Sequence, residues 1–388
     1  MFSTRVPGDR RPNRLSRALA SARERRDLID LTISNPTQAG IHYPPDLLAP
    51  LADASALVYR PEPFGLAAAR EAVAGTYAAR GLSIKADRIV LTSSTSEAYS
   101  ILFKLLCDPA RSVVLTPVPS YPLFAHLTRL DGVAAHEYPL QYHGTWTIAL
   151  HDLDRVWTAD TRAVLTVSPN NPTGSSLGAR DADELTRRCE DRQAALILDE
   201  VFCDYPLREP LEDAPALAGP GCLLFRLGGL SKMAGLPQVK LGWIALDGPE
   251  DLVVDAMDRL ELICDTYLSV STPVQVALAS LLERGADVRR QILERVRANY
   301  ASLEAWVGRA RGATLLRAEG GWSAVLRVPA TTSEEDLALD LLERGGVVVH
   351  PGYFFDFAHE AFLVVSLLPE PDPFARGVAR ILERVDAA

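Results

Sequence analysis

The sequence predicts an α/β protein built on a mostly parallel sheet, with a smaller α+β unit attached. Three observations carry this expectation. Between residues 88 and 246, short apolar runs alternate with segments of helical periodicity. Those runs are apolar throughout, the pattern of strands buried on both faces. A chain of 388 residues, 48% of them hydrophobic, is long enough for a large core and a second unit.

Taken in order, the strands are "RIVLT", "SVVLTP", "TRAVLTVS", "AALILDEV", "CLLFRL" and "LGWIAL". Between the first two lies "EAYSILFKLLC", where Ile101, Leu102, Leu105 and Leu106 share one helical face. Residues 288–307, "VRRQILERVRANYASLEAWV", read as one long helix. After it come "GGWSAVLRVP", a helical "SEEDLALDLLERGG", then "VVVHPGYFF" and "AFLVVSLL", which make up the smaller unit. The expected division is an N-terminal segment 1–45 packing with the small unit, a large domain 46–285 and a small domain 286–388.

A net charge of −10 argues against nucleic acid or an anionic membrane as the main partner. The early arginines, Arg10, Arg11, Arg14, Arg17, Arg23, Arg25 and Arg26, followed by Asp27 and Asp30, read as a solvated helix. No apolar run reaches the roughly 18 residues of a membrane helix, and the N-terminus lacks the apolar core of a signal peptide. Five scattered cysteines, an odd number without metal spacing, predict reduced thiols in a cytoplasm. The seven histidines form no HxxxH or HxH pair, so no metal site is expected.

In such sheets ligands bind beyond the carboxyl ends of the strands. After "RIVLT", the hydroxyls of Ser94, Thr95 and Ser96 lead into a helix start, which suits a phosphate or an ordinary N-cap. After "AVLTVS", the tight "PNNPTGSSL" loop sets Asn171 at the sheet edge, or is simply a turn. Asp199 ends the next strand, where a carboxylate is costly unless a cation such as a protonated ring nitrogen faces it; a helix cap is the alternative. Ser231 and Lys232 follow "CLLFRLGGL", and a desolvated lysine there has a lowered pKa and can form a Schiff base. Lys240, eight positions on, offers a second cation for a phosphate. Together these groups suit pyridoxal 5′-phosphate.

The chain also resembles the fold-type I pyridoxal-phosphate-dependent aminotransferases of class I/II over nearly its full length. "NNPTG", "DEVF", "SKMAGLPQVKLGW" and "HPGYFF" occur in that family's order, and "YPLFAHL" is similar to its bacterial alanine aminotransferase branch. The resemblance implies a seven-stranded, mostly parallel sheet in the large domain. It implies that Lys232 holds the cofactor as a Schiff base and then shuttles a proton, in ping-pong half-reactions between an amino acid and a 2-oxo acid. Asp199 would keep the pyridine nitrogen protonated, Asn171 would bond the phenolic oxygen, and Tyr121 would stack on the ring. Ser94, Thr95, Ser96, Ser231 and Lys240 would complete the cofactor site, and Tyr59 would reach the phosphate of a neighbouring subunit in a homodimer.

Four positions depart from the pattern. Lys240 stands where arginine is usual, Phe202 where a tyrosine commonly donates to the phenolic oxygen, and Ser34 where glycine is usual. Without that tyrosine the Schiff base is expected to be harder to deprotonate, unless Tyr205 substitutes. Finally, "AFLVVSLLPEP" puts Leu363 or Val364 at the place of the arginine that clamps the substrate carboxylate. Arg60, His42, Arg327 and Ser34 are candidate replacements, and Trp322, Tyr353 and His350 are expected near the pocket mouth. The loss leaves two alternatives to ordinary amino transfer: a substrate without a nearby carboxylate, or elimination, cyclisation or decarboxylation. A binding or regulatory role is disfavoured by the intact Lys232 and Asp199.

Overall fold

The structure is a computed structural model that describes residues 2–387 apart from 10, 23–27, 209–216, 218–219 and 269. Its largest sheet contains β1 (Ile89–Thr92), β2 (Val113–Val118), β3 (Ala134–Tyr142), β4 (Trp146–Ile148), β5 (Thr161–Val167), β6 (Ala195–Asp199), β7 (Leu224–Gly229) and β8 (Gly242–Asp247). The spatial order is β1-β8-β7-β6-β5-β2-β3-β4. Strands β7, β6, β5, β2 and β3 run parallel, β8 is antiparallel to both its neighbours, and β4 folds back on β3. The six apolar runs form six of these strands. The half-exposed β3 completes the seven that were expected, and the three-residue β4 adds an eighth at the edge.

The helices that bear on the site are α1 (Arg14–Ala22), α2 (Thr95–Leu106), α3 (Ala179–Asp191), α4 (Glu250–Tyr267), α5 (Thr272–Val307) and α6 (Glu334–Glu343). Strand β6 illustrates why the sheet is covered on both sides. Leu196 and Leu198 pack with Leu185 and Cys189 of α3, while Ile197 packs with Leu102 of α2 and Leu260 of α4. Successive side chains of a strand point to opposite faces, so an all-apolar run needs a helix on each.

Helix α5 has 36 residues and begins well before the expected 288, so the 285/286 division falls inside it. Gly285 lies against Ala234, where an added Cβ would come within 2.5 Å of the Ala234 Cβ. A second, antiparallel sheet contains β9 (Thr314–Leu315), β10 (Ser323–Arg327), β11 (His350–Pro351) and β12 (Phe362–Ser366), in the order β9-β10-β12-β11. The N-terminal segment is tied to this side: Ile29–Asp30 pairs in parallel with Val347–Val348, and Ser366 N donates to Leu31 O at 2.7 Å. On α1, Arg14 bridges to Glu335 and Asp336 at the start of α6, each at 3.1 Å. Of the other members of the arginine cluster, Arg10, Arg23, Arg25 and Arg26, together with Asp27, lie outside the described residues.

Candidate active site

At the carboxyl edge of the large sheet, where the small sheet faces it, lies a cavity of about 510 Å³. It is lined by Ser34, Ser94, Thr95, Ser96, Tyr121, Asn171, Asp199, Ser231, Lys232, Lys240 and Trp322, which the sequence had marked separately. Phe202 and His350 are also in the lining. A cavity of about 630 Å³ beside β4 holds none of these residues.

One end of the cavity is an anion cradle. Ser94 caps α2 by accepting from Glu97 N at 3.2 Å, so Thr95 and Ser96 supply the first N–H groups of the helix, which lack intrahelical acceptors. Gly242 on β8 makes room for this turn: an added Cβ would stand 2.9 Å from the Ser94 carbonyl carbon and 3.1 Å from Thr95 N. Lys240 precedes the same strand.

The "NNPTG" loop divides its two asparagines. Asn170 is buried and holds the loop, accepting from Ser120 Oγ at 2.7 Å and donating to Pro119 O and Thr173 Oγ1. Gly174 has φ +66, and an added Cβ would meet Ala318 at 2.5 Å, so the turn requires glycine. Asn171 is thereby turned to the cavity, where its Oδ1 accepts from Ser323 Oγ at 3.2 Å.

Asp199 is buried at the end of β6, accepting from Tyr99 Oη at 2.6 Å and from Val201 N at 3.0 Å. Burial pushes its carboxyl up to about 6, against the pull of these two donors; Glu200 adds to the rise and Lys232 opposes it. Burial also pulls the Lys232 amine down to about 8, opposed by Asp199 and reinforced by Lys240. Lys232 Nζ lies 4.7 Å from the centre of the Trp322 ring and 5.5 Å from that of Phe202. Those two rings meet edge-on, 5.4 Å apart. The Tyr205 hydroxyl donates to the backbone carbonyl of Lys232, which fixes the lysine's main chain and commits that hydroxyl.

Tyr59, Arg60 and Tyr353 are exposed and lie outside this lining, as do His42 and Arg327. Phe354 and Phe355 line the wall beside Tyr353 instead. Of the two candidates for the arginine's place, Leu363 points into the core, whereas Val364, like Ser366, faces the cavity. Tyr99 was missed. The available signal was its position four residues after Thr95, on the same face of a helix whose start was already marked.

The sequence profile described as aminotransferase class I and II matches residues 26–375. The chain belongs to that family. Among relatives of this aminotransferase, the glutamate-pyruvate aminotransferase AlaA of Haemophilus influenzae is 24% identical over 360 residues, 90% of this chain and 89% of its own. The capreomycidine synthase of Streptomyces vinaceus is 30% identical over 301 residues, 76% of this chain and 74% of its own. The alanine aminotransferase of Pyrococcus furiosus has the same fold, with a TM-score of 0.88 over 100% of both chains at 20% identity. The family's cofactor is pyridoxal 5′-phosphate, and the donor set fits it: an anion cradle, a buried carboxylate in need of a cation, and a depressed amine. No single helix among the described residues is long and apolar enough to cross a membrane.

Proposed function

We propose that this aminotransferase moves an amino group from an amino acid to a 2-oxo acid in two half-reactions, with Lys232 as the cofactor-holding amine and proton carrier. The observation that carries the reading is that Lys232 and Asp199, each shifted by burial towards its neutral form, line one cavity. Bound there, pyridoxal phosphate supplies an aldehyde to take up the amino group and a ring to spread the charge left at the substrate's α-carbon. Thr95 and Ser96 N–H groups, the hydroxyls of Ser94, Thr95, Ser96 and Ser231, and the Lys240 ammonium hold the phosphate. Tyr121 would pack on the ring, and Asn171 would donate its amide N–H to the phenolic oxygen. Asp199, steadied by Tyr99, would keep a proton on the ring nitrogen. Lys232 Nζ, neutral in a large fraction of molecules near pH 8, would take up the proton of the substrate's α-carbon and give it back.

The supporting experiment is the visible spectrum of the holoenzyme titrated with single L-amino acids. The band should bleach with a competent donor and recover with a 2-oxo acid. Lys232→Ala should remove both the band and turnover; full activity in that variant is incompatible with the assignment.

A second reading, elimination, cyclisation or decarboxylation of an amino acid, is favoured by Val364 at the arginine's place and by a relative named as a synthase. It predicts product or ammonia release without recovery through an oxo acid. We further propose a homodimer in which Tyr59 reaches the partner's phosphate site. Leu57, Val58 and Tyr59 are exposed in the single chain, as are Leu262 and Tyr267 of α4. That much uncovered apolar surface supports a partner. A cytoplasmic setting is supported by five free thiols. The proposed domain division keeps the cofactor site mainly within 46–285, with 286–388 and 1–45 closing over it.

A further inference from the structure

We propose that His350 is the residue that grips the acidic end of the substrate; this rests on the amino-transfer reading above. Val364 and His350 are direct partners across the antiparallel pair β12–β11. Cross-strand partners project to the same face of a sheet, and both residues line the cavity. The imidazole therefore stands beside the stretch of wall where the strand itself offers only a valine.

Apart from the short hydroxyl of Ser34, the other hydroxyls on that wall are already engaged. Ser366 Oγ donates to Ile33 O, Ser323 Oγ donates to Asn171, and Thr32 Oγ1 donates to Asp30 at 2.5 Å. The lining contains no arginine among the described residues, and its two lysines serve the cofactor in the reading above. A carboxylate against this wall without a donor would be buried and unpaired, a costly state.

His350 has the fixed geometry a donor needs. Phe354 stacks on its ring at 5.0 Å with an interplanar angle of 12°, and Phe355 meets it edge-on at 5.6 Å. No hydrogen bond to another described residue engages its ring nitrogens. Burial holds the imidazole below its usual range while Asp30 acts in the opposite direction. A substrate carboxylate would act as Asp30 does, favouring the protonated ring and a charge-assisted hydrogen bond. The rings packed on this donor, Phe354 and Phe355, select an acid that carries an apolar side chain.

The test is titration calorimetry of the holoenzyme with 3-phenylpropionate, a carboxylate that has no amine to react. His350→Leu, which has no donor, should bind it about ten-fold or more weakly than the unaltered enzyme, the loss of one hydrogen bond to a charged group, while the cofactor's visible band persists. His350→Phe, which keeps a ring but has no donor, should behave alike and serves if the leucine variant fails to fold. Equal binding by the unaltered enzyme and a folded variant would overturn the proposal. So would an enzyme that L-amino acids bleach but that binds no 3-phenylpropionate. If no L-amino acid bleaches the unaltered holoenzyme, the amino-transfer reading itself fails, an outcome separate from the other two.

Discussion

Asp199 and Lys232 sit at opposite ends of one electrostatic arrangement, each shifted towards its neutral form by the loss of water. Two predictions belong to these residues. Uptake of pyridoxal phosphate by the apoprotein requires the neutral lysine, so the rate at which the visible band grows should rise with pH around a midpoint near 8. A midpoint near 10.5, the ordinary lysine value, would show that the amine is not depressed. For Asp199 the folded pKa, about 6, lies above the unfolded value of about 3.9. Its contribution to stability is therefore complete below pH 4 and is lost as pH rises through 6. Above that, ionising it in the apoprotein costs about 3 kcal/mol. Asp199→Asn should accordingly stabilise the apoprotein against urea by up to that amount at pH 8, with the gain vanishing near pH 4, while abolishing activity. An apoprotein variant no more stable at pH 8 would count against the burial argument. The sequence revealed both residues because strand ends and unusual residue types can be read locally. Tyr99 was hidden because its role depends on a contact 100 positions away in the chain. The choice between Leu363 and Val364 needed the strand's orientation, which an all-apolar run does not disclose.

At the scale of elements, the cradle depends on how closely β8 approaches the start of α2. Gly242→Ala would bring a methyl group against backbone atoms of Ser94 and Thr95, which cannot rotate away as a side chain can. The expected result is cofactor affinity reduced about ten-fold or more with the fold retained, read from the Kd of pyridoxal phosphate and from circular dichroism. Unchanged affinity would mean that the turn can shift without loss. The six apolar strands were legible because burial on both faces leaves an unbroken hydrophobic run. Strands β3 and β4 were not, since β3 is half-exposed and polar and β4 is only three residues long. The start of α5 escaped for a different reason: a glycine at 285 reads as an interruption, whereas here it permits close contact with Ala234.

The whole molecule carries one further prediction. Sedimentation should find a dimer, and Tyr59→Phe should weaken cofactor binding without dissociating it, since the ring remains and only the hydroxyl is lost. A monomeric holoenzyme with full activity would remove Tyr59 from the site. Within each chain, α5 is about 54 Å long by its residue count. Leu278, Leu281 and Val288 in its first half, and Ile292, Val296 and Leu303 in its second, belong to one cluster. That cluster also contains Ile89 and Trp243 from the large sheet, and Leu326 and Leu363 from the small one. The helix is thus a shared spine. Severing the chain between 285 and 286 would leave each piece with only a part of that spine and an uncovered apolar face. Two such fragments would be insoluble when made separately, and would recover the cofactor's colour only when produced together.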